Sequence, residues 1–176
     1  MKHLPLPELN FLKSILSYCP DTGIFIWKVN RGRLAKAGQI AGYLQLDKKR
    51  PDYKYFKILI CGKAYRVNRL AYYYMTEIDP AEKEVDHKNG NPLDNRFDNL
   101  RLATHANNGK NRKIRKGNSS GFKGVTSNGN NWEAGIRVNY DYIYLGTYNS
   151  KFYAALVYAR AAKKYFGEWR RLKFNF

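Results

Sequence analysis

The stretch from Val85 to Arg112, VDHKNGNPLDNRFDNLRLATHANNGKNR, constrains this chain more than any other. Asp86 and His87 close an apolar run, and Asn89-Gly90-Asn91-Pro92 follows with the residue types that turns require. Asn99 opens a short strand that runs to Leu102. Thr104 then offers a helix N-cap, which puts Asn107 and Asn108 in the first turn of a short helix. Strand, loop, strand and helix make a frame that can bring Asp86, His87 and Asn108 to one point. An imidazole beside a carboxylate and an amide oxygen suits metal-assisted phosphodiester hydrolysis. His105 shares the helix with Asn108 and is the other candidate base, while His3 stands isolated near the terminus.

The formal net charge of +18 over 176 residues suits a polyanionic partner, because each phosphate neutralised by Lys or Arg releases condensed counterions. Charge names that partner class and no more; a ribosomal-type structural protein would share it. The length fits one domain or two small ones. No apolar run approaches the roughly 18 residues that span a bilayer. Prolines and a glutamate interrupt MKHLPLPELNFLKSIL where a signal peptide needs an apolar core. Cys19 and Cys61 lack CxxC spacing, which excludes zinc bracing and leaves a disulfide open. The expectation is a soluble, cytoplasmic protein.

In chain order, Leu4 to Tyr18 has helical apolar spacing at Leu9, Leu12, Ile15 and Leu16. Ile24 to Lys28, Gly38 to Leu46 and Tyr53 to Ile60 read as strands, with a hairpin at Gly62-Lys63. Val67 to Met75 reads as a core helix beneath the polar loop. Its Arg69 is a candidate phosphate contact or an ion-pair partner of Glu77, Glu82 or Glu84.

Between Gly109 and Gly121 lies a glycine-flanked basic run, which reads as a linker. Its Arg112, Lys113, Arg115 and Lys116 are either solvated or laid along a DNA groove. From Phe122 onward, Phe122 to Val125, Trp132 to Arg137 and Ile143 to Tyr148 read as three strands joined by Asn/Gly-rich turns. An alanine-rich helix over Lys151 to Phe166 is stopped by Gly167.

Two resemblances follow. Asp86-His87, Asn89-Gly90-Asn91, Asp94-Asn95-Arg96, Asn99-Leu100-Arg101 and Asn108 together resemble the HNH (ββα-metal) nucleases, phage homing endonucleases among them. That resemblance reaches back to about Tyr53. It implies Asp86 and Asn108 as ligands of one Mg²⁺ or Mn²⁺ ion, His87 as general base and Asn99 as the loop's brace. Members usually place His-Arg at the start of the core helix, where this chain has Asn68-Arg69.

The C-terminal segment resembles the plant ethylene-response-factor (APETALA-type) DNA-binding domain. Lys123-Gly124-Val125, Ala134-Gly135-Ile136-Arg137, Leu145-Gly146-Thr147-Tyr148 and Leu172-Lys173-Phe174-Asn175 carry that likeness. It implies a sheet laid in the major groove. Thr126, Asn128 and Tyr142 stand where Arg is usual, and Tyr144 where Trp is usual, so that family's base specificity does not transfer. Lys123, Trp132, Arg137 and Tyr144 remain as candidate contacts, Trp132 being open equally to a packing role, and Arg69 and Arg96 join them from the nuclease part.

The expected fold class is α+β: a β-rich region over 1–52, a nuclease unit over 53–112, a basic linker over 113–121 and a sheet-and-helix domain over 122–176. The expected activity is divalent-metal-dependent cleavage of double-stranded DNA, in intron-borne or free-standing phage form. It would act as a monomer, without membrane or small-molecule cofactor. Two rivals stay open: a DNA-binding regulator on a decayed nuclease fold, and an RNA-binding protein suggested by charge and 15 tyrosines.

Overall fold

A computed structural model describes residues 4–33, 35–111, 114 and 117–170. Arg112, Lys113, Arg115 and Lys116, and the motif Leu172 to Asn175, therefore lie outside the described residues. The fold is α+β and divides into two compact units, Met1–Ala106 and Asn107–Phe176.

The first unit begins with α1 (Leu9–Ile15), capped by Glu8, whose carboxylate accepts from the amides of Asn10 and Phe11. This helix is shorter than its apolar spacing predicts. At Leu16 the backbone turns extended and the burial period changes from helical to two, with Leu16 and Tyr18 buried and Ser17 and Cys19 half-buried. The resulting β1 (Leu16–Cys19) pairs antiparallel with β2 (Ile24–Trp27).

A second sheet has the order β3 (Tyr43–Leu46), β4 (Lys54–Ile60), β5 (Lys63–Arg66). The strand expected from Gly38 begins only at Tyr43, because Ile40 bridges to Ile26 on the other sheet. Cys61 and Gly62 both have positive φ, 48° and 74°, the conformation a two-residue hairpin between β4 and β5 needs. Helix α2 (Val67–Thr76) follows directly, and then β6 (Glu84–His87) and β7 (Leu100–Ala103) form a third, two-stranded sheet.

Leu12, Leu16, Phe25, Ile58, Ile60 and Leu70 sit in one core with Val85 and Leu100. The region before residue 53 thus shares its apolar interior with the strands that carry Asp86 and His87. Cys19 and Cys61 are both free thiols.

Helix α3 (His105–Lys110) starts immediately after Thr104. In the second unit β8 (Val125–Asn128), β9 (Asn131–Val138) and β10 (Asp141–Tyr148) form an antiparallel sheet in the order β10-β9-β8. Helix α4 (Lys151–Phe166) packs on one face, with Ala154 and Ala155 against Phe122, Val125 and Ala134. Small side chains let the helix lie close to the sheet. Ser150 caps its start and Gly167 its end. No described helix is long and apolar enough to cross a membrane.

Candidate active site

Helix α2 positions β6 through two consecutive side chains. Asn68 donates from Nδ2 to the Val85 carbonyl at 2.7 Å, one residue before Asp86. Arg69 donates from Nη1 and Nη2 to the carbonyls of Lys83 and Ala81 at 2.8 and 3.0 Å, closing the connection into β6. Asn68 is 9% exposed and Arg69 6%, and burial holds the Arg69 pKa below its ordinary value. Arg69, expected as a phosphate contact or an ion-pair partner of a glutamate, thus turns its guanidinium to backbone carbonyls, with Asp79 3.8 Å from Nη2.

On β6 the neighbouring side chains Asp86 and His87 diverge, as consecutive residues of a strand must. Asp86 lies opposite Arg101 of β7, whose Nε and Nη2 reach Asp86 Oδ2 at 3.2 and 3.1 Å. Both members of this ion pair are buried. His87 turns toward the loop, where its Nε2 lies 3.1 Å from Asn95 Oδ1.

The loop from Lys88 to Asp98 is tied by Asn99. Asn99 Oδ1 accepts the Asn89 amide at 3.0 Å, and its Nδ2 donates to Asn89 Oδ1 at 3.1 Å and to the Asp94 carbonyl at 2.7 Å. Asn89 Nδ2 donates in turn to Asp94 Oδ2 at 2.7 Å. One amide side chain thus holds both ends of the turn that begins at His87.

Burial is the largest influence on His87 and pushes its pKa down, with the nearby Arg66 guanidinium adding to that; the Asn95 bond, Asp86 and Asp94 oppose it. That direction favours the neutral imidazole, the form a general base needs. Asp94 is held down to about 2, first by the Arg96 guanidinium, which binds it through Nε and Nη2 at 2.8 and 2.7 Å. Arg96 is exposed but already committed to this pair.

Asp86 is a buried hard-oxygen donor, and Asn108 is half-buried on α3, in the second unit. Among the described residues no group of three or more His, Cys, Asp and Glu gathers as a metal cage. Mg²⁺ does not require one, since it usually keeps several waters and takes one or two carboxylates plus substrate phosphate. Asp86 Oδ2 accepts both Arg101 bonds. The Asp86 carboxylate is of the type that fits such an ion.

In the second unit the two-residue period sorts the remaining candidates. Arg137 pairs with Tyr142, and Gly135 with Tyr144, on the sheet face opposite Val125 and Ala134. Tyr142 and Tyr144 are 52% and 58% exposed. Trp132, by contrast, shares the inner face with Ala134, packs against the second core and has the Lys151 ammonium 5.9 Å over its ring. The packing role is the one its surroundings display. Lys123 donates from Nζ to the Lys110 carbonyl at 2.9 Å, neutralising the C-terminal end of α3.

Sequence reading missed Asn68, Asn95, Arg101 and Arg66. Antiparallel register was the available signal for Arg101, which stands directly across from Asp86.

Residues 65–110 match the HNH endonuclease family. Protein 3.8 of Escherichia phage T7 is 50% identical over 42 residues, covering 24% of this chain and 35% of that protein. The aligned part thus spans about a third of the relative's length. No solved structure matches the chain.

Proposed function

We propose that this chain is a divalent-metal-dependent endonuclease of double-stranded DNA, with His87 as general base and Asp86 and Asn108 as ligands of one Mg²⁺ or Mn²⁺ ion. The observation that carries this reading is the buried His87 beside Asp86 at the end of β6, on a loop tied by Asn99, within the segment that matches the HNH family.

His87 takes a proton from the attacking water. Asn99 keeps the turn that follows His87 in one shape, so the imidazole does not reorient between binding and reaction. Asp86 and the amide oxygen of Asn108 supply one charged and one neutral hard ligand. The ion, when bound, supplies charge stabilisation at the crowded phosphate and the leaving 3′ oxygen. Arg66, close enough to affect His87, offers a cation to the flanking phosphate.

Arg137, Tyr142 and Tyr144 make the exposed face of β9 and β10 the DNA-holding surface, in the manner of an ethylene-response-factor sheet. Such an enzyme fits a phage homing endonuclease acting as a monomer in the host cytoplasm, cutting one strand per encounter.

The Asp86–Arg101 ion pair favours one second reading, a DNA-binding regulator whose nuclease fold no longer takes a metal. There the guanidinium would occupy the cation's role permanently. Incubating the protein with supercoiled plasmid in Mg²⁺ or Mn²⁺, with EDTA as control, separates the two. Metal-dependent relaxed or linear product supports the enzyme. Plasmid that stays supercoiled under both metals while still shifted in a gel supports the regulator.

A further inference from the structure

We propose that Asn95 is a positioning residue for His87: its side-chain oxygen fixes the imidazole in the tautomer protonated on Nε2, and the β1–β2 hairpin fixes Asn95. This rests on the reading of His87 as base and adds which ring nitrogen acts and what holds it.

Asn95 is 4% exposed, and its Oδ1 lies 3.1 Å from His87 Nε2. Asn95 Nδ2 donates to the Leu93 carbonyl at 3.4 Å, which distinguishes the amide oxygen from its nitrogen. An amide oxygen only accepts, so His87 Nε2 must carry the hydrogen. A neutral ring protonated there has its lone pair on Nδ1. The geometry therefore assigns Nδ1 as the atom that receives the water's proton. In that step the water O–H bond breaks and Nδ1–H forms, Nε2 keeps its hydrogen, and the hydroxide electron pair goes to phosphorus while the P–O3′ bond breaks, its electron pair leaving on the 3′ oxygen, which takes a proton from solvent. The imidazolium that results keeps Asn95 Oδ1 as its acceptor.

Asn95 is itself gripped from the N-terminal hairpin. The Tyr18 hydroxyl donates to the Asn95 carbonyl at 2.6 Å, and Tyr18 is buried against Phe25 and Tyr74 at ring distances of 4.7 and 6.0 Å. The Phe97 amide donates to the Pro20 carbonyl at 3.0 Å. Gly23, at φ +72°, lies so close that a Cβ there would stand 2.4 Å from the Asn95 carbonyl carbon and 2.5 Å from the Arg96 nitrogen. Backbone, not a flexible side-chain tip, blocks that position. These three contacts come from residues 18–23, outside the matched segment 65–110. The catalytic unit therefore includes a hairpin that the family match does not cover.

Long-range ¹⁵N–¹H correlations of the imidazoles, recorded at about pH 9 where the rings are neutral, read the tautomer without reference to activity. Single-turnover cleavage kinetics read its consequence. The parent is expected to show His87 protonated on Nε2. Asn95→Leu should lose that preference and lower the cleavage rate about 10- to 100-fold with KM unchanged, whereas Asn95→Asp, which keeps an acceptor, should retain the tautomer. Tyr18→Phe removes only the outer bond and should give a smaller loss of both, which keeps the test open if Asn95→Leu does not fold.

A parent protonated on Nδ1 would overturn the proposal, as would an Asn95→Leu protein with parental tautomer and rate. A tautomer lost in Asn95→Leu, in a protein whose His87→Ala variant still cuts normally, would uphold the positioning and defeat only the base assignment.

Discussion

The Asp86–His87 loop and the outer face of β9–β10 are both polar surfaces on small antiparallel sheets, yet they are built on opposite principles. In the loop, Asp86, His87, Asn95, Asn99 and Arg101 are all buried and bonded to one another or to backbone. On the sheet face, Tyr142 and Tyr144 are more than half exposed, and Arg137 is exposed beside them. Burying polar groups costs free energy unless each finds a partner, so a region that buries five of them is organised for fixed geometry. A face that leaves aromatics in water is organised for contact with something large. On the proposed reading, chemistry belongs to the first region and grip to the second.

That division can be broken by substitution. The largest effect is expected at His87: His87→Ala should slow cleavage about 10²–10⁴-fold while duplex affinity by gel shift stays parental. Equal loss of binding would mean that the two regions are not separate in function. Next, Arg101→Met leaves Asp86 buried without its partner and should destabilise the protein by about 3–5 kcal/mol in denaturant unfolding. The double variant Arg101→Met with Asp86→Leu should recover most of it, whereas no recovery would place the cost elsewhere.

Asn99→Ala removes three hydrogen bonds of roughly 1 kcal/mol each and should lower stability by about that sum. On the sheet, Arg137→Ala should leave stability and metal dependence alone and reduce the slope of log affinity against log salt by about one.

The smallest effect concerns Asp94. Its folded pKa, about 2, is below the ordinary carboxylate value near 4. The fold therefore gains stability from this group above about pH 4 and loses it as the pH falls through about 2. Arg96→Gln should flatten that acid limb in unfolding midpoints measured against pH.

Where the sequence carried strong local signals, the fold was legible in it. The hairpin at Cys61-Gly62, the core helix α2, the second and third C-terminal strands and the stop at Gly167 all depend on nearest neighbours and appear close to where pattern placed them, whereas the strand expected over Phe122 to Val125 begins only at Val125. Contacts between distant positions were not legible. Helical spacing near Leu16 concealed a strand because tertiary pairing with Trp27 overrode it. Arg69 read equally as a phosphate contact or a glutamate's partner, and its bonds to the Lys83 and Ala81 carbonyls depend on a loop that spacing does not display; Trp132 read equally as a DNA contact or a packing residue until its strand face was known. Asn95 was one amide in an amide-rich loop. Only the closure of that loop over eight residues brought it to His87, and only a hairpin some seventy-seven positions away held it there.

The central claim, that Asp86 and Asn108 share one ion beside His87, is tested most directly by the cleavage rate against Mg²⁺ concentration in single turnover. The account predicts that Asn108→Ala needs markedly more Mg²⁺ to reach half its saturating rate, and that Asp86→Ala cleaves at no Mg²⁺ concentration. Mg²⁺ curves that superimpose for the parent and both variants would contradict it.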